Sequence, residues 1–378
     1  MRRSLFLILT IVVLSACKKP YTPELVSSPD SFLVIEGIIN SGSDSTIIRL
    51  SRTTPVDAKT SVSPEKNATA IVESDDNASY PLTEGSDGTY SSAGLNLNSS
   101  KKYRLRVTTA NKDVYLSDFE EVRVTPPIDS IGYQITGNGL QIYSNAHDAT
   151  NNTRYYRFEY EEAWKFNTAY KSGYIVEGDK IVARKIDVYY CYANRKSSNI
   201  VIGSTIKLSQ DVLHEQPITS IASNSEKVGN RYTILLKQYA LSKKAYEFWQ
   251  QIKNNTESLG SIFDPQPSES SGNIKCVSNP EKKAIGYISV GTVQTKRVYI
   301  DRSELPKTWM VDYGCERDTT RFEYDGIRIF FNNPPLVIPI DKAINANGAW
   351  IGYLSSSPEC TDCTTRGKLQ KPAFWKDK

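Results

Sequence analysis

Alternation of apolar and polar residues is the dominant pattern along this 378-residue chain. It is clearest from Tyr155 to Phe166, where the even positions are aromatic apart from Glu162 and the odd positions are mostly charged. Successive side chains of a strand point to opposite faces, so the pattern predicts a long strand with one buried and one solvated face. Shorter runs of the same kind recur between turn residues, and the chain is therefore predicted to be mainly β.

Two β-sandwich-like domains are predicted from the spacing of these strands. The first covers residues 32–125 and ends at Thr125, because the two prolines that follow cannot continue a central strand. Residues 128–378 form a larger β-rich domain with a cysteine-containing tail. Around residues 87–90 and 103–107 the first domain resembles transthyretin-like or carboxypeptidase-regulatory-like modules, with an immunoglobulin-like sandwich as the alternative. We expect the second to be a fibronectin-III-like sandwich with one inserted helix.

The inserted helix is predicted near residues 242–254. Ser242 is a suitable N-cap, and Leu241 and Tyr246 stand at the two positions of a hydrophobic staple. One apolar face follows at helical spacing. Its aromatic residues could offer a ligand platform, but packing against the sheet is the favoured interpretation. The face consists of Ala245, Phe248, Trp249 and Ile252.

Glu162 interrupts the apolar face of the longest predicted strand. A carboxylate there could be a functional acid, and a hydrolase acting through Glu162 is one hypothesis for the whole protein. Such a residue more often marks a bulge or the end of the buried stretch. We expect the second situation.

The first sixteen residues have the form of an export signal, with Arg2 and Arg3 before a short apolar run. This run is too short to span a bilayer, which needs roughly 20 apolar residues. Residues 14–17 read Leu-Ser-Ala-Cys, which matches the lipobox of bacterial lipoproteins. Cys17 is therefore the expected lipid attachment site, followed by a proline-containing tether over residues 17–31. Acylation at Cys17 with more than one chain would anchor the protein stably in a membrane.

Five further cysteines are expected to form disulfides, because export places them in an oxidising compartment. The odd number leaves one thiol over, and sequence alone does not fix the pairing. We expect Cys191 to pair with Cys276, and Cys315 to pair with Cys360 or Cys363. The spacing of the last two also permits a zinc or redox site, which the lack of further ligands and of a βαβ unit makes the weaker alternative.

Composition gives no sign of a nucleic-acid partner. Removing Arg2 and Arg3 with the signal lowers the net charge from +4 to +2, and no long basic cluster is present. His147 and His214 are the only histidines, and neither has metal-ligand spacing or belongs to a serine-nucleophile motif. We therefore assign no catalytic, cofactor-binding or metal-binding residue, and the covalent lipid on Cys17 is the one expected non-protein group.

Several segments together resemble a family of uncharacterised Bacteroidota outer-membrane lipoproteins. The resemblance covers nearly the whole mature chain. It is carried by the lipobox and by six further segments, at residues 21–23 with 34–37, 155–162, 191–192, 236–249, 263–276 and 360–363 with the terminal Lys-Pro-x-Phe-Trp.

Members of that family are typically encoded beside a TonB-dependent receptor. The resemblance implies a non-enzymatic accessory or ligand-binding partner of a TonB-dependent outer-membrane barrel in nutrient uptake. A structural or adhesive surface lipoprotein that binds glycan or protein is the alternative. Lys18 and Lys19 follow the lipidated cysteine where surface-exported members carry acidic residues, so the cell-surface and periplasmic faces both stay open.

Overall fold

The structure is a computed structural model that describes residues 31–54, 63–177, 180–257, 272–322, 330–331 and 335–377. The predicted signal peptide, Cys17 and the tether up to residue 30 lie outside these residues. Within the described ranges, no helix combines the length and the apolar character that crossing a membrane would require.

Strands dominate the described residues, and the prediction of a mainly β fold is confirmed. Two α-helices also lie there, α1 (Lys243–Glu257) and the four-residue α2 (Pro358–Thr361). The strands are β1 (Leu33–Asn40), β2 (Thr46–Arg52), β3 (Ser63–Pro64), β4 (Thr69–Ser74), β5 (Ser79–Glu84), β6 (Thr89–Ser92), β7 (Lys102–Thr108), β8 (Val114–Ser117), β9 (Glu120–Glu121), β10 (Ile128–Thr136), β11 (Gly139–Asp148), β12 (Tyr155–Asn167), β13 (Tyr174–Glu177), β14 (Lys180–Ala183), β15 (Tyr190–Lys196), β16 (Val201–Ser204), β17 (Asp211–Ala222), β18 (Arg231–Ala240), β19 (Ile274–Cys276), β20 (Ala284–Ile285), β21 (Ser289–Gly291), β22 (Val293–Asp301), β23 (Asp318–Arg321), β24 (Ile338–Ile344) and β25 (Trp350–Ser356).

One twelve-stranded sheet builds the first unit, which we define as β1–β9 together with β19–β21. Its main path runs β19-β8-β7-β4-β5-β6-β2-β1-β20. The end strands β19 and β20 are in contact, so the sheet curls into a nearly closed barrel. Alternate side chains of its strands point inward and form a single apolar core, since the side-chain period of a strand is two. The core includes Leu33, Ile48, Val72, Tyr90, Leu105 and Val107.

The first unit is built from two separate stretches of chain. β19 pairs antiparallel with β8, and β21 pairs in parallel with β1. The second domain predicted from the sequence is continuous from residue 128 to 378, whereas the structure places residues 274–291 in the first unit. The two connections lie side by side, because the Arg123 amide donates to the Val290 carbonyl and the Thr292 amide donates to the Arg123 carbonyl, each at 3.0 Å.

The second unit, comprising β10–β18, β22 and α1, contains two sheets that pack face to face. The sheet β10-β11-β17 covers the sheet β15-β12-β18-β22, and apolar residues of both form one core. In β12 every even residue from Tyr156 to Phe166 is buried, as the alternation predicts. The opposite face is not fully solvated, since Arg157, Glu159 and Glu161 are half-buried there.

Helix α1 begins as predicted and runs to Glu257. The Ala245 amide donates to Ser242 Oγ at 3.2 Å, which satisfies one of the unpaired amides of the first turn. Ala245 and Phe248 are buried against Tyr287, which belongs to the returning stretch of the first unit. The helix therefore packs between the two units.

The C-terminal part forms a small sheet, β23-β25-β24, which with α2 and the residues up to 377 we call the tail. Two disulfides hold it, Cys191–Cys363 and Cys315–Cys360, with Cα–Cα distances of 5.6 and 5.9 Å. The second matches the prediction. The predicted Cys191–Cys276 bond is wrong, because Cys191 lies on β15 of the second unit whereas Cys276 lies on β19 of the first and is a buried free thiol.

Glu162 marks neither a bulge nor the end of the buried stretch, and that prediction is wrong. Its strand pairs regularly on both sides, and burial continues to Phe166. The carboxylate is 4% exposed and accepts hydrogen bonds from Lys227 Nζ at 2.7 and 2.8 Å and from Tyr232 Oη at 2.9 Å. A buried charge is tolerated when it is paired and hydrogen-bonded in this way.

Candidate functional site

A cleft of about 550 Å³ lies between the first and second units. One wall comes from β1, β2 and the turn between them, and the other from β12, β15, β18, β22 and α1. We call it the inter-unit cleft. Its volume falls within the roughly 300–1,000 Å³ that small-molecule sites occupy, and such sites often lie between domains.

The floor of the cleft is a cluster of four side chains. The Arg157 guanidinium lies 3.7 Å from the centroid of the Trp249 ring, close enough for a cation–π interaction. Arg157 Nη2 donates to Glu159 Oε1 at 2.7 Å, and Tyr239 Oη donates to Glu159 Oε2 at 2.8 Å. Each side chain is thus held by another, so the floor is arranged before any ligand arrives.

Electrostatics fixes the protonation state of Tyr239 on the floor and of Glu161, the partner of the cleft residue Lys237. Burial, followed by the neighbouring Glu159 carboxylate, raises the pKa of Tyr239 far above its usual value, so its hydroxyl stays a donor. Burial acts to raise the pKa of Glu161, but the hydrogen bond from Lys237 Nζ at 2.8 Å outweighs it and the net shift is downward. Glu161 is therefore a charged acceptor at neutral pH.

The opposite wall carries charges of both signs. Glu36 and Arg49 are direct cross-strand partners on β1 and β2, Asp44 lies in the turn between them, and Lys196 reaches in from β15. All four are exposed. Within the described residues, none of the four makes an ion pair.

Gly37 allows the first-unit wall to form. Its φ of 139° lies in a region that L side chains rarely adopt, and a Cβ there would stand 2.4 Å from the carbonyl oxygen of Ile47. Because Gly37 itself lines the cleft, a larger residue would push β1 and β2 apart where Glu36 and Arg49 are held.

The residues singled out from the sequence lie elsewhere. Glu162 points into the core, on the face of β12 away from the cleft, and its carboxylate is occupied by Lys227 and Tyr232. His147 and His214 are exposed, and the hydrogen bond to Asp129 at 2.7 Å raises the pKa of His147.

Sequence reasoning missed the cleft although it found the elements that form it. The sequence pattern predicts a solvated face for the charged positions of β12 and predicts that the aromatic stripe of the helix packs against the sheet. Phe248 does pack in the interior, whereas Trp249 lines the cleft beneath Arg157. The available signal of the cleft was the presence of arginine and glutamate two residues apart on a strand whose other face is buried.

Comparison with known proteins identifies a family but no activity. No curated protein matches the chain. Among solved structures, a DUF3823 family protein from Bacteroides ovatus is similar at 15% identity, covering 56% of this chain and 91% of that one, with a TM-score of 0.14. The sequence matches the family described as "Domain of unknown function (DUF4249)" over residues 18–297, nearly three quarters of its length, and the chain therefore belongs to the DUF4249 family.

Proposed function

We propose that this chain is a non-enzymatic, lipid-anchored protein of the outer membrane that binds a ligand in the inter-unit cleft beside a TonB-dependent transporter. The preorganised floor of the cleft is the observation that carries the binding role. Arg157 and Glu159 are fixed by Trp249 and Tyr239, and such fixed polar groups give a binding site its orientation and specificity. The lipobox and the family resemblance support the location and the partner.

The electrostatics of the floor favours binding over catalysis. A general acid in a cleft needs a raised pKa so that it is protonated near neutral pH. The carboxylate of the floor, Glu159, is instead engaged by both Arg157 and Tyr239. Groups held in this way are suited to hydrogen-bonding a ligand and poorly suited to exchanging protons with it.

Anchoring can be tested by removing the acylated thiol. The Cys17→Ser variant should leave the membrane fraction, because the acyl chains supply the affinity that holds the protein there. Cys276→Ser, which removes the free buried thiol of the first unit, is the matched control and should stay with the membrane. Membrane association that survives Cys17→Ser would contradict the anchor.

Partnership can be tested by purifying the full-length protein from outer membranes in mild detergent after chemical cross-linking. We expect an outer-membrane barrel of the TonB-dependent class to co-purify with it. Recovery of the protein alone, from membranes in which such barrels are present and cross-link to other proteins, would overturn the transporter role.

A further inference from the structure

We infer that the inter-unit cleft selects an electrically neutral, polyhydroxylated ligand, which in chemical class is a carbohydrate. The inference rests on the proposed ligand-binding function of the cleft and adds the identity of the ligand class. It depends on the balance and placement of charge in the described residues.

The floor carries strong hydrogen-bonding groups but no net charge. Arg157 is paired with Glu159 at 2.7 Å. Lys237 also lines the cleft, and it is paired at 2.8 Å with Glu161, which does not line it. Both cations thus already have a carboxylate partner. A charged ligand would have to compete with those partners, whereas a hydroxyl needs only a free donor or acceptor position.

The walls also carry equal numbers of positive and negative side chains, but among the residues that the structure describes these make no ion pairs. Arg49 and Lys196 are exposed cations, and Glu36 and Asp44 are exposed carboxylates. Their charges cancel, so a ligand of either sign gains no net attraction from the cleft as a whole. Donors and acceptors of the strong, charge-assisted kind are nevertheless present on both sides.

A polyol fits this arrangement because each of its hydroxyls is both a donor and an acceptor. Two adjacent hydroxyls can accept from Arg157 and donate to Glu159 at the same time, without displacing the ion pair. The apolar side chains in the cleft supply contact for the C–H faces of a sugar ring. Ile47, which is 55% exposed on the first-unit wall, is the most accessible of these.

A zwitterionic peptide is the main competitor, since it also carries both charges. Its charges sit at fixed separations, and the unpaired counter-charges that it would need stand on the walls alone. There, Glu36 and Arg49 are cross-strand neighbours whose opposite charges offset each other. On the floor, every charge is already neutralised by a neighbour within 2.8 Å. The floor therefore offers hydrogen bonding and little charge recognition, which favours the neutral ligand.

The test uses the full-length protein in mild detergent on an array of neutral oligosaccharides of different sugars and linkages. Uronate-containing oligosaccharides and unmodified peptides form the two comparison arms. We expect binding to neutral glycans that changes little between low and high salt, because screening weakens only charge–charge attraction. If the array shows no neutral binder, or if binding is confined to the uronates or the peptides, the inference fails.

Variants locate the binding once a glycan has been found. Glu36→Gln and Arg49→Ala change exposed wall residues, and each should weaken binding by roughly tenfold or more, as expected when a charge-assisted hydrogen bond is lost. Arg157→Ala tests the floor. Arg195→Ala is the matched control, since Arg195 is exposed and does not line the cleft, and it should bind like the unaltered protein. Equal affinity in all four variants would place the glycan elsewhere.

The outcome can be separated from that of the proposed function. A barrel that co-purifies while no neutral glycan binds overturns only the ligand class. Glycan binding without any barrel partner overturns the transporter role and leaves the ligand class standing.

Discussion

The first unit and the tail are stabilised by different means. Many strands of the first unit converge on a core whose members, such as Leu33 and Val107, are fully buried, and its one cysteine is a free thiol. Apart from a proline, the tail sheet buries only three apolar side chains, Ile338, Ala343 and Tyr353, leaves Trp350 44% exposed, and is held by two disulfides. A small sheet cannot bury enough apolar surface to be stable alone, so covalent links replace core where core is scarce.

Removing the Cys191–Cys363 bond should lower the stability of the fold more than any other change considered. It joins residues 172 positions apart. If a disulfide acts by restricting the unfolded chain, opening a loop of that length lowers the free energy of unfolding by roughly 5 kcal/mol. The double variant Cys191→Ser with Cys363→Ser should therefore release the tail, measured as faster amide exchange in β23–β25.

The second disulfide provides the comparison for that experiment. Cys315 and Cys360 are 45 positions apart, so their removal should cost less, roughly 4 kcal/mol by the same account. If neither double variant changes exchange in the tail sheet, the covalent explanation of its stability is wrong.

Truncating the core of the first unit should give the next largest effect. Leu105 on β7 is 1% exposed, and Leu105→Ala should lower the free energy of unfolding by about 3 kcal/mol through lost burial and a cavity. Urea unfolding measures this loss. Adding a reductant should not enlarge it for the first unit, which contains no disulfide; a reductant-dependent loss there would erase the contrast with the tail.

Changing Cys276 should alter stability less than truncating Leu105, and the reactivity of its thiol reports the opening of the first unit. Its thiol is 6% exposed, so alkylation should be slow in the native protein and fast in urea. The rate should follow the local unfolding equilibrium of the β19 edge. Cys276→Ser should cost only about 1 kcal/mol, because one small buried group becomes more polar. Rapid alkylation of the native protein would show that the sheet edge is open.

Loss of exposed ion pairs at low pH should change the free energy of unfolding least, both in the first unit and in the tail. The hydrogen bond from Ser74, together with Lys101, lowers the pKa of Asp76 to about 2, and Lys371 lowers the pKa of Asp377. A depressed carboxyl pKa stabilises the fold above the unfolded value and loses that contribution as pH falls through the folded value. NMR titration should find the Asp76 midpoint near 2; a midpoint near 3.8 would remove the effect.

Local pattern was enough to predict the elements that local interactions determine. The alternation from Tyr155 to Phe166 predicted β12 and its buried face, and the Ser242 cap predicted the start of α1. Both signals lie within a few residues of the structure they specify, so no knowledge of distant partners is needed.

Long-range pairing could not be predicted in the same way. Nothing near residues 274–291 shows that they join the first sheet, because backbone hydrogen bonds do not depend on residue type. The wrong prediction of a Cys191–Cys276 bond follows from this, since the predicted boundaries place both residues in one domain. The prediction for Glu162 was wrong for a related reason, because its partner Lys227 is 65 positions away. The cleft could not be predicted for the same reason, because its two walls come from units that are distant in sequence.

The discontinuous first unit has a consequence for biosynthesis. Its sheet lacks β19–β21 until residue 291 has emerged into the compartment where the chain folds, about 170 residues after β9 has done so. At roughly 5–20 residues per second, this interval lasts about ten to thirty seconds. Throughout it, β1 exposes an unpaired edge that other nascent chains can join. Most of the second unit, β10–β18 and α1, is therefore made while the first is still open, and protection of that edge becomes a requirement for a good yield of folded protein.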